Sequence, residues 1–270
     1  MIKSSKYTEY LQQPFDSYFE EGDVLNGTQI YRWAGTDSKV HFERIKTNRK
    51  YSALLSSYID NPIIYRVDKN NFRTDIDSYD GEIDIALGDS NTFGVGMYED
   101  YIWPNVLSKS TGVPILNLGI CSAGVEHSYI ALTRILSKYK VRKVFHLAEI
   151  FGRLCYVDGK KFYTKGIKDR GTILYEHRKY IDAIAGVCSY NNIDYYYFHS
   201  LPYTIYFTAS GLDDMSKTRV YKSNITIPEN DLVSRDLIHP SKLQQKELAD
   251  RFETLLDEKL FIESIEDVLV

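Results

Sequence analysis

The run Ile83-Asp84-Ile85-Ala86-Leu87-Gly88-Asp89-Ser90-Asn91-Thr92-Phe93-Gly94-Val95-Gly96 constrains the fold most, because an apolar segment breaks abruptly into small and polar residues. The residues from Ile83 to Leu87 are mostly branched and apolar, the composition of a strand covered on both faces of a parallel sheet, and Gly88 ends it. Gly94 and Gly96 keep the backbone that follows loose. A glycine-rich turn directly after such a strand lies at the carboxyl edge of the sheet, where open α/β folds place their ligands. Three chemistries compete for that location. A phosphate-binding loop needs a lysine followed by serine or threonine after its second glycine, and a dinucleotide loop needs three glycines at set spacing. Neither pattern is present: Gly94-x-Gly96 is followed by Glu99 where a third glycine would fall. The nucleophile reading, with Ser90 as the reacting group, leads.

The chain around this stretch has the rhythm of an α/β protein. Tyr98, Ile102, Val106 and Leu107 recur at near-helical spacing between Tyr98 and Thr111, and Gly112 closes that helix. A second apolar run, Val113 to Leu118, enters the loop Asn117-Leu118-Gly119-Ile120-Cys121-Ser122-Ala123-Gly124. Tyr129, Leu132, Leu136 and Tyr139 mark a helical face over Val125 to Tyr139, and Val141 to Ala148 reads as a third strand. Repeated strand, loop and helix units predict a parallel sheet covered by helices. The rhythm breaks at Tyr156 to Tyr163, where Asp158-Gly159 between aromatic and β-branched positions predicts a hairpin excursion at the rim of the site. A long helix over Thr172 to Asn191, a tyrosine-rich strand over Ile193 to His199 and a C-terminal helix over Pro240 to Leu260 follow. The segment from Ser200 to Arg235 has weak periodicity and reads as loops with short elements. Before all this, Met1 to about Gly81 shows no sustained periodicity. It carries turn signals at Asn26-Gly27, Asn61-Pro62 and Asp80-Gly81 and one short strand candidate, Ile63 to Val67, so it reads as a lead-in packed on the core.

Composition removes several function classes. A net charge of −4 with only short basic clusters, such as Lys138 to Lys143, gives no electrostatic footprint for nucleic acid. Three widely spaced cysteines form neither a disulfide framework nor a metal knuckle, and six histidines show no ligand spacing, so no metal or other cofactor is expected. The start lacks an apolar leader and no apolar run is long enough for a membrane span, which predicts a soluble chain, cytoplasmic by default. The 23 tyrosines supply amphipathic area for sugar contacts or ordinary strand packing, and composition does not choose between the two. The oligomeric state is left open.

A serine hydroxyl is a weak nucleophile at neutral pH unless a base takes its proton, and the base works best when a carboxylate orients it. Asp236-Leu237-Ile238-His239-Pro240-Ser241 offers both in one stretch, just before the C-terminal helix. Taken alone these are turn residues. Together, Gly88-Asp89-Ser90-Asn91-Thr92-Phe93-Gly94 and Asp236-x-x-His239-Pro240 resemble the first and last motif blocks of the SGNH/GDSL hydrolases, in the family's order and spacing. The resemblance covers roughly Ile83 to Phe252. It implies a three-layer α/β/α sandwich with a flavodoxin-like parallel sheet, a catalytic domain over 82–260, an irregular N-terminal extension over 1–81 and a tail over 261–270. It also implies Ser90 as nucleophile, His239 as general base and then acid, and Asp236 as the group that holds the imidazole.

The same family builds its oxyanion hole from the nucleophile's own N–H, a glycine N–H and an asparagine side chain. Asn117-Leu118-Gly119 resembles the opening of the second block, but Ser122 stands where the glycine would fall, with Gly119 and Gly124 on either side. In the third block Glu149 occupies the asparagine's place, and an ionised carboxylate cannot donate to an oxyanion. Losing one such donor costs about a hundred- to a thousandfold in turnover. Arg153 is the preferred substitute, ahead of a protonated Glu149 or backbone donors of the second loop. The expected function is a serine esterase or acyl hydrolase forming an acyl-enzyme on Ser90. The resemblance extends its substrates to acylated carbohydrate. The alternatives are an acyltransferase variant and a non-catalytic carbohydrate-binding or structural module of the same fold. Smaller roles fall to Asp89, Asn91 and Thr92 in shaping the turn, and to His127, His146 and His199 in packing.

Overall fold

An antiparallel sheet precedes the parallel one that the sequence predicts. The computed structural model describes residues 19–25, 28–49, 51–68, 72–74, 79, 81–121, 123–148, 153–158, 161–166, 170–198 and 232–257. Strands β1 (Phe19–Leu25) and β2 (Thr28–Ala34) pair on either side of Asn26-Gly27, the dipeptide most suited to a tight hairpin. Helix α1 (Lys39–Lys46) follows, capped by Ser38, whose side chain accepts from the His41 N–H. Two single-turn helices, α2 (Ser52–Leu55) and α3 (Ser57–Asp60), lead to β3 (Tyr65–Val67), which completes the three-stranded sheet β1-β2-β3. Only β3 has a counterpart in the sequence reading, since β1 and β2 carry no sustained alternation of apolar and polar residues.

The parallel sheet begins with β4 (Glu82–Leu87), which delivers the short helix α4 (Ser90–Phe93). Helix α5 (Trp103–Thr111), β5 (Ile115–Asn117), α6 (Val125–Leu136) and β6 (Lys140–Leu147) follow in alternation. α5 starts later than the apolar spacing predicts, because Pro104 favours the first turn of a helix and a 3₁₀ turn, Glu99–Tyr101, occupies the residues before it. The hairpin predicted around Asp158-Gly159 is formed by β7 (Arg153–Asp158) and β8 (Lys161–Gly166), and β7 lies beside α6. Helix α7 (Arg170–Tyr190), β9 (Asp194–Phe198) and α8 (Lys242–Asp257) complete the described elements.

The four central strands run parallel in the order β5-β4-β6-β9. The first of them is thus internal, as in flavodoxin-like sheets, and the chain reverses its direction of winding between β4 and β6. Ligands of such sheets sit outside the carboxyl ends of the strands at that point. Alternation along β4 and β6 sorts the core into two layers. Ile83, Ile85, Leu87 and Val144 pack with Leu132 and Ile135 of α6 and Ile184 of α7. Ala86, Phe145 and Leu147 face the other way, toward Trp103 and Leu107 of α5 and Leu248 and Phe252 of α8. The Trp103 and Phe252 rings stack at 4.5 Å between centroids, which ties the C-terminal helix to α5. This is a three-layer α/β/α sandwich. Among the described residues no helix is long and apolar enough to cross a membrane.

The N-terminal sheet has its own apolar cluster, with Trp33, Phe42, Leu55, Tyr58, Tyr65 and Val67 buried. That cluster also takes in Phe93 at the end of α4, Val95 just after it and Cys121 from the loop after β5. The lead-in is therefore fused to the edge of the parallel sheet that carries Ser90.

Candidate active site

Ser90 opens α4 at the carboxyl end of β4, and Asp89 before it caps the helix by accepting from the Asn91 N–H at 2.9 Å. Thr92 donates to the Leu87 carbonyl at 3.3 Å, closing the turn back onto the strand. These short-range bonds give Asp89 and Thr92 the turn-shaping parts that the sequence reading assigns them.

The second half of the site comes from the loop before α8. His239 Nε2 lies 2.8 Å from Ser90 Oγ, and His239 Nδ1 lies 2.7 Å from Asp236 Oδ2. A carboxylate only accepts hydrogen bonds, so Nδ1 carries a proton and Nε2 is left to accept from the serine hydroxyl. Asp236 Oδ1 accepts from the backbone N–H groups of Ile238 and His239 at 3.1 and 3.2 Å. The tight loop is closed by the Leu237 N–H to the Ser234 carbonyl, with Leu237 in the left-handed region at φ 58°. Such a conformation costs a non-glycine residue about 1–2 kcal/mol, and it lets side chains three positions apart meet. Burial acts to raise the Asp236 pKa, but the His239 imidazole and the Thr36 hydroxyl outweigh it and hold the carboxyl well below the ordinary carboxylate range.

The loop carrying Asp236 and His239 belongs to no strand, and what fixes it comes largely from the N-terminal segment, above all the turn after β2 and helix α1. Gly35 and Thr36 form a two-residue turn between Ala34 and Asp37, which exchange backbone hydrogen bonds at 3.0 and 3.1 Å. Thr36 donates to Asp236 Oδ2 at 2.5 Å. Asp37, its neighbour, is buried and grips Arg235 in a two-pronged ion pair, with Nε to Oδ1 at 2.8 Å and Nη2 to Oδ2 at 2.7 Å. Burial pushes the Asp37 carboxyl up while Arg235 pulls it down; the same contact raises the Arg235 guanidinium against its own burial, so it stays charged. Tyr65 donates to Asp37 and accepts from the Gly96 N–H, while the Arg235 N–H donates to the Gly96 carbonyl at 2.7 Å. His41 of α1 donates from Nε2 to the Asp236 carbonyl at 3.0 Å, with Arg44 donating to its Nδ1. On the Ser90 side, fully buried Arg73 donates to the carbonyls of Phe93, Gly94 and Met97.

Thr36, Asp37, His41, Tyr65, Arg73 and Arg235 were not among the candidate residues read from sequence. Their neighbours in sequence give no sign of them, and the only local cue is that Arg235 adjoins Asp236. Of the predicted oxyanion group, Gly119 is tied into the loop: its N–H donates to Asn117 Oδ1 at 2.9 Å, and Asn117 Nδ2 donates to the Thr92 carbonyl at 2.8 Å. Ser122 and Glu149 lie outside the described residues, as does the side chain of Arg153. His127 accepts from the Gly124 N–H, and buried His146 hydrogen-bonds the Tyr195 hydroxyl at 2.7 Å; His199 lies outside the described residues. Tyr196 stacks on Phe145 within the core. Among the described residues no group of three or more His, Cys, Asp or Glu side chains is placed to hold a metal ion.

No family model matches the sequence, and no curated protein matches it. Solved structures with a similar course of chain include a protein of the lipolytic G-D-S-L family from Desulfitobacterium hafniense DCB-2, at 18% identity and a TM-score of 0.45, covering 65% of this chain and 99% of that one. A psychrotrophic esterase, EstA, from Pseudoalteromonas sp. is 16% identical at a TM-score of 0.43, covering 67% and 99% of the two chains. An acetyl xylan esterase, Est2A, from Butyrivibrio proteoclasticus is 10% identical at a TM-score of 0.42, covering 74% and 68%.

Proposed function

We propose that this chain is a serine esterase or acyl hydrolase of the SGNH/GDSL type, acting through an acyl-enzyme on Ser90. The observation that carries this reading is the continuous hydrogen-bonded line from Ser90 Oγ to His239 Nε2 at 2.8 Å and from His239 Nδ1 to Asp236 at 2.7 Å. In the reaction Ser90 Oγ attacks the acyl carbon while its proton passes to His239 Nε2, and the imidazolium is stabilised by the Asp236 carboxylate. The same proton then goes to the departing alkoxide, which leaves as the alcohol. A water molecule, deprotonated by His239, attacks the acyl-enzyme; the imidazolium then returns that proton to Ser90 Oγ as it leaves, releasing the acid and restoring the free hydroxyl and neutral imidazole. The negative charge of each tetrahedral intermediate is assigned to the Ser90 backbone N–H, the Ser122 backbone N–H and Arg153. A protonated Glu149 is the substitute donor if Arg153 is not the one. Gly119 is not used, because its N–H is already given to Asn117.

Hydrolysis of p-nitrophenyl acetate by the wild-type protein and by Ser90→Ala tests the reading, and equal rates in the two would overturn it. The resemblance of the two motif blocks extends the proposal to acylated carbohydrate, which release of acetate from acetylated xylan tests. Product analysis with an alcohol acceptor separates hydrolysis from acyl transfer. A second reading, a non-catalytic carbohydrate-binding or structural module, draws on Glu149 in place of the asparagine. Covalent labelling of Ser90 by a fluorophosphonate in folded protein speaks against that module, and its absence speaks for it.

A further inference from the structure

We infer that Thr36 is a positioning residue for the proposed catalytic pair, acting as the fixed external reference for the Asp236 carboxylate. The inference rests on the reading of Ser90, His239 and Asp236 given above. Asp236 Oδ1 is held by two N–H groups of its own loop, whereas Oδ2 meets only two described donors, His239 Nδ1 at 2.7 Å and Thr36 Oγ1 at 2.5 Å. A carboxylate that is to steady an imidazole through a proton transfer needs an anchor other than that imidazole. Thr36 supplies it, and at 3.5 Å from His239 Nδ1 its hydroxyl stands beside the bond it steadies.

The anchor is itself immobilised. Thr36 sits in the two-residue turn that ends β2, and the next residue, Asp37, is clamped on Arg235 while Thr36 holds Asp236. Adjacent residues of the turn thus grip adjacent residues of the site loop, so side-chain hydroxyl and carboxylate are set in register by a buried ion pair one position away. His41 fixes the backbone of the same residue through the Asp236 carbonyl. Thr36 lies at the surface, unlike Asp37. Water can therefore enter the space that a shortened side chain would leave there and replace a missing hydroxyl.

That exposure gives the test a signature that a packing role lacks. Thr36→Ser keeps the hydroxyl, Thr36→Ala opens a space that water fills, and Thr36→Val puts a methyl group against the carboxylate and keeps water out. The expected order of kcat on p-nitrophenyl acetate is wild type and T36S within twofold, T36A intermediate and T36V lowest. T36V is expected to fall by about tenfold, the loss of one hydrogen bond to a charged group, with KM unchanged. In proton NMR, the low-field resonance of the His239 Nδ1–H moves downfield in T36V, because Oδ2 has lost its other donor, and stays in place in T36S. T36V within twofold of wild type, T36A below T36V, or T36S falling as far as T36V would overturn the inference. If the wild-type protein neither hydrolyses esters nor reacts with a fluorophosphonate, the proposed function fails on its own. The resonance then decides about Thr36: a shift in T36V but not T36S upholds its grip on Asp236, and no shift in either refutes it.

Discussion

Ser90 and the Asp236-to-His239 loop reach the same point by different means. Ser90 rides on β4, flanked by β5 and β6, and its turn is closed by hydrogen bonds to residues two to five positions away. The Asp236 loop is fixed by Thr36, Asp37, His41, Tyr58 and Gly96, of which Thr36 lies 200 positions away in sequence and the Tyr58 hydroxyl 175 positions from the Val233 carbonyl it meets. A sheet edge positions a residue through backbone geometry that recurs in many proteins. A loop with no strand beneath it needs dedicated partners, and here the N-terminal segment, outside the resemblance to the two motif blocks, provides most of them.

The contrast is broken most severely by removing the sheet-borne half. Ser90→Ala should lower kcat for ester hydrolysis by about four to six orders of magnitude while leaving the melting temperature near that of wild type. An S90A protein with a tenth of the activity would show that β4 does not deliver the nucleophile. The loop-borne half should respond through stability as well. Asp37→Ala strands the Arg235 guanidinium in the interior, so the unfolding free energy from urea titration should drop by about 3–5 kcal/mol, with turnover falling alongside. Restoration of part of that stability by pairing Asp37→Ala with Arg235→Met would assign the loss to the stranded charge.

Two glycines in the left-handed region sharpen the comparison further. At Gly96 (φ 73°) an added Cβ would lie 3.1 Å from the Arg235 nitrogen and from Asp236 Oδ1, whereas at Gly112 (φ 69°) it would meet nothing within 4 Å. Each alanine should cost about 1–2 kcal/mol of backbone strain, but only Gly96→Ala should also reduce kcat, because only there does the strain bear on the Asp236 loop. Equal activity in the two variants would separate Gly96 from the site. The smallest effect is a pH dependence. Since the Asp236 carboxyl titrates below its ordinary value of 3.8 in the folded protein, its stabilising contribution is complete above that value and is lost as pH falls toward the folded one. Unfolding free energies from urea titration should therefore fall more steeply below about pH 4 in wild type than in Asp236→Asn, by up to about 1.4 kcal/mol per pH unit. Parallel curves would mean that Asp236 is not held as its hydrogen bonds imply.

Much of the parallel sheet was legible because its signals are local. The branched run before Gly88, the Asp158-Gly159 turn and the helical spacing of Tyr129, Leu132 and Leu136 each lie within one element. β1 and β2 escaped because FEEGDVL carries charges on both faces and TQIYRWA puts Arg32 on the same face as Ile30 and Ala34, so both take strand form from pairing with each other and with β3. Gly119 illustrates a different gap: the sequence reading offered it as an oxyanion donor, and its N–H has a partner in Asn117 that only folded geometry reveals.

By itself the sequence determined where a serine leaves a buried strand, and that an aspartate and a histidine three residues apart stand before the last helix. Those are matters of short-range spacing, which the chain carries in any conformation. The tertiary structure alone decided that His239 meets Ser90, that Asp236 faces His239, and that a turn ending at Asp37 holds both Arg235 and Asp236. Hydrogen bonds and ion pairs between groups about 150 to 200 positions apart depend on how two sheets pack, and a hydroxyl or carboxylate in a sequence does not name its partner.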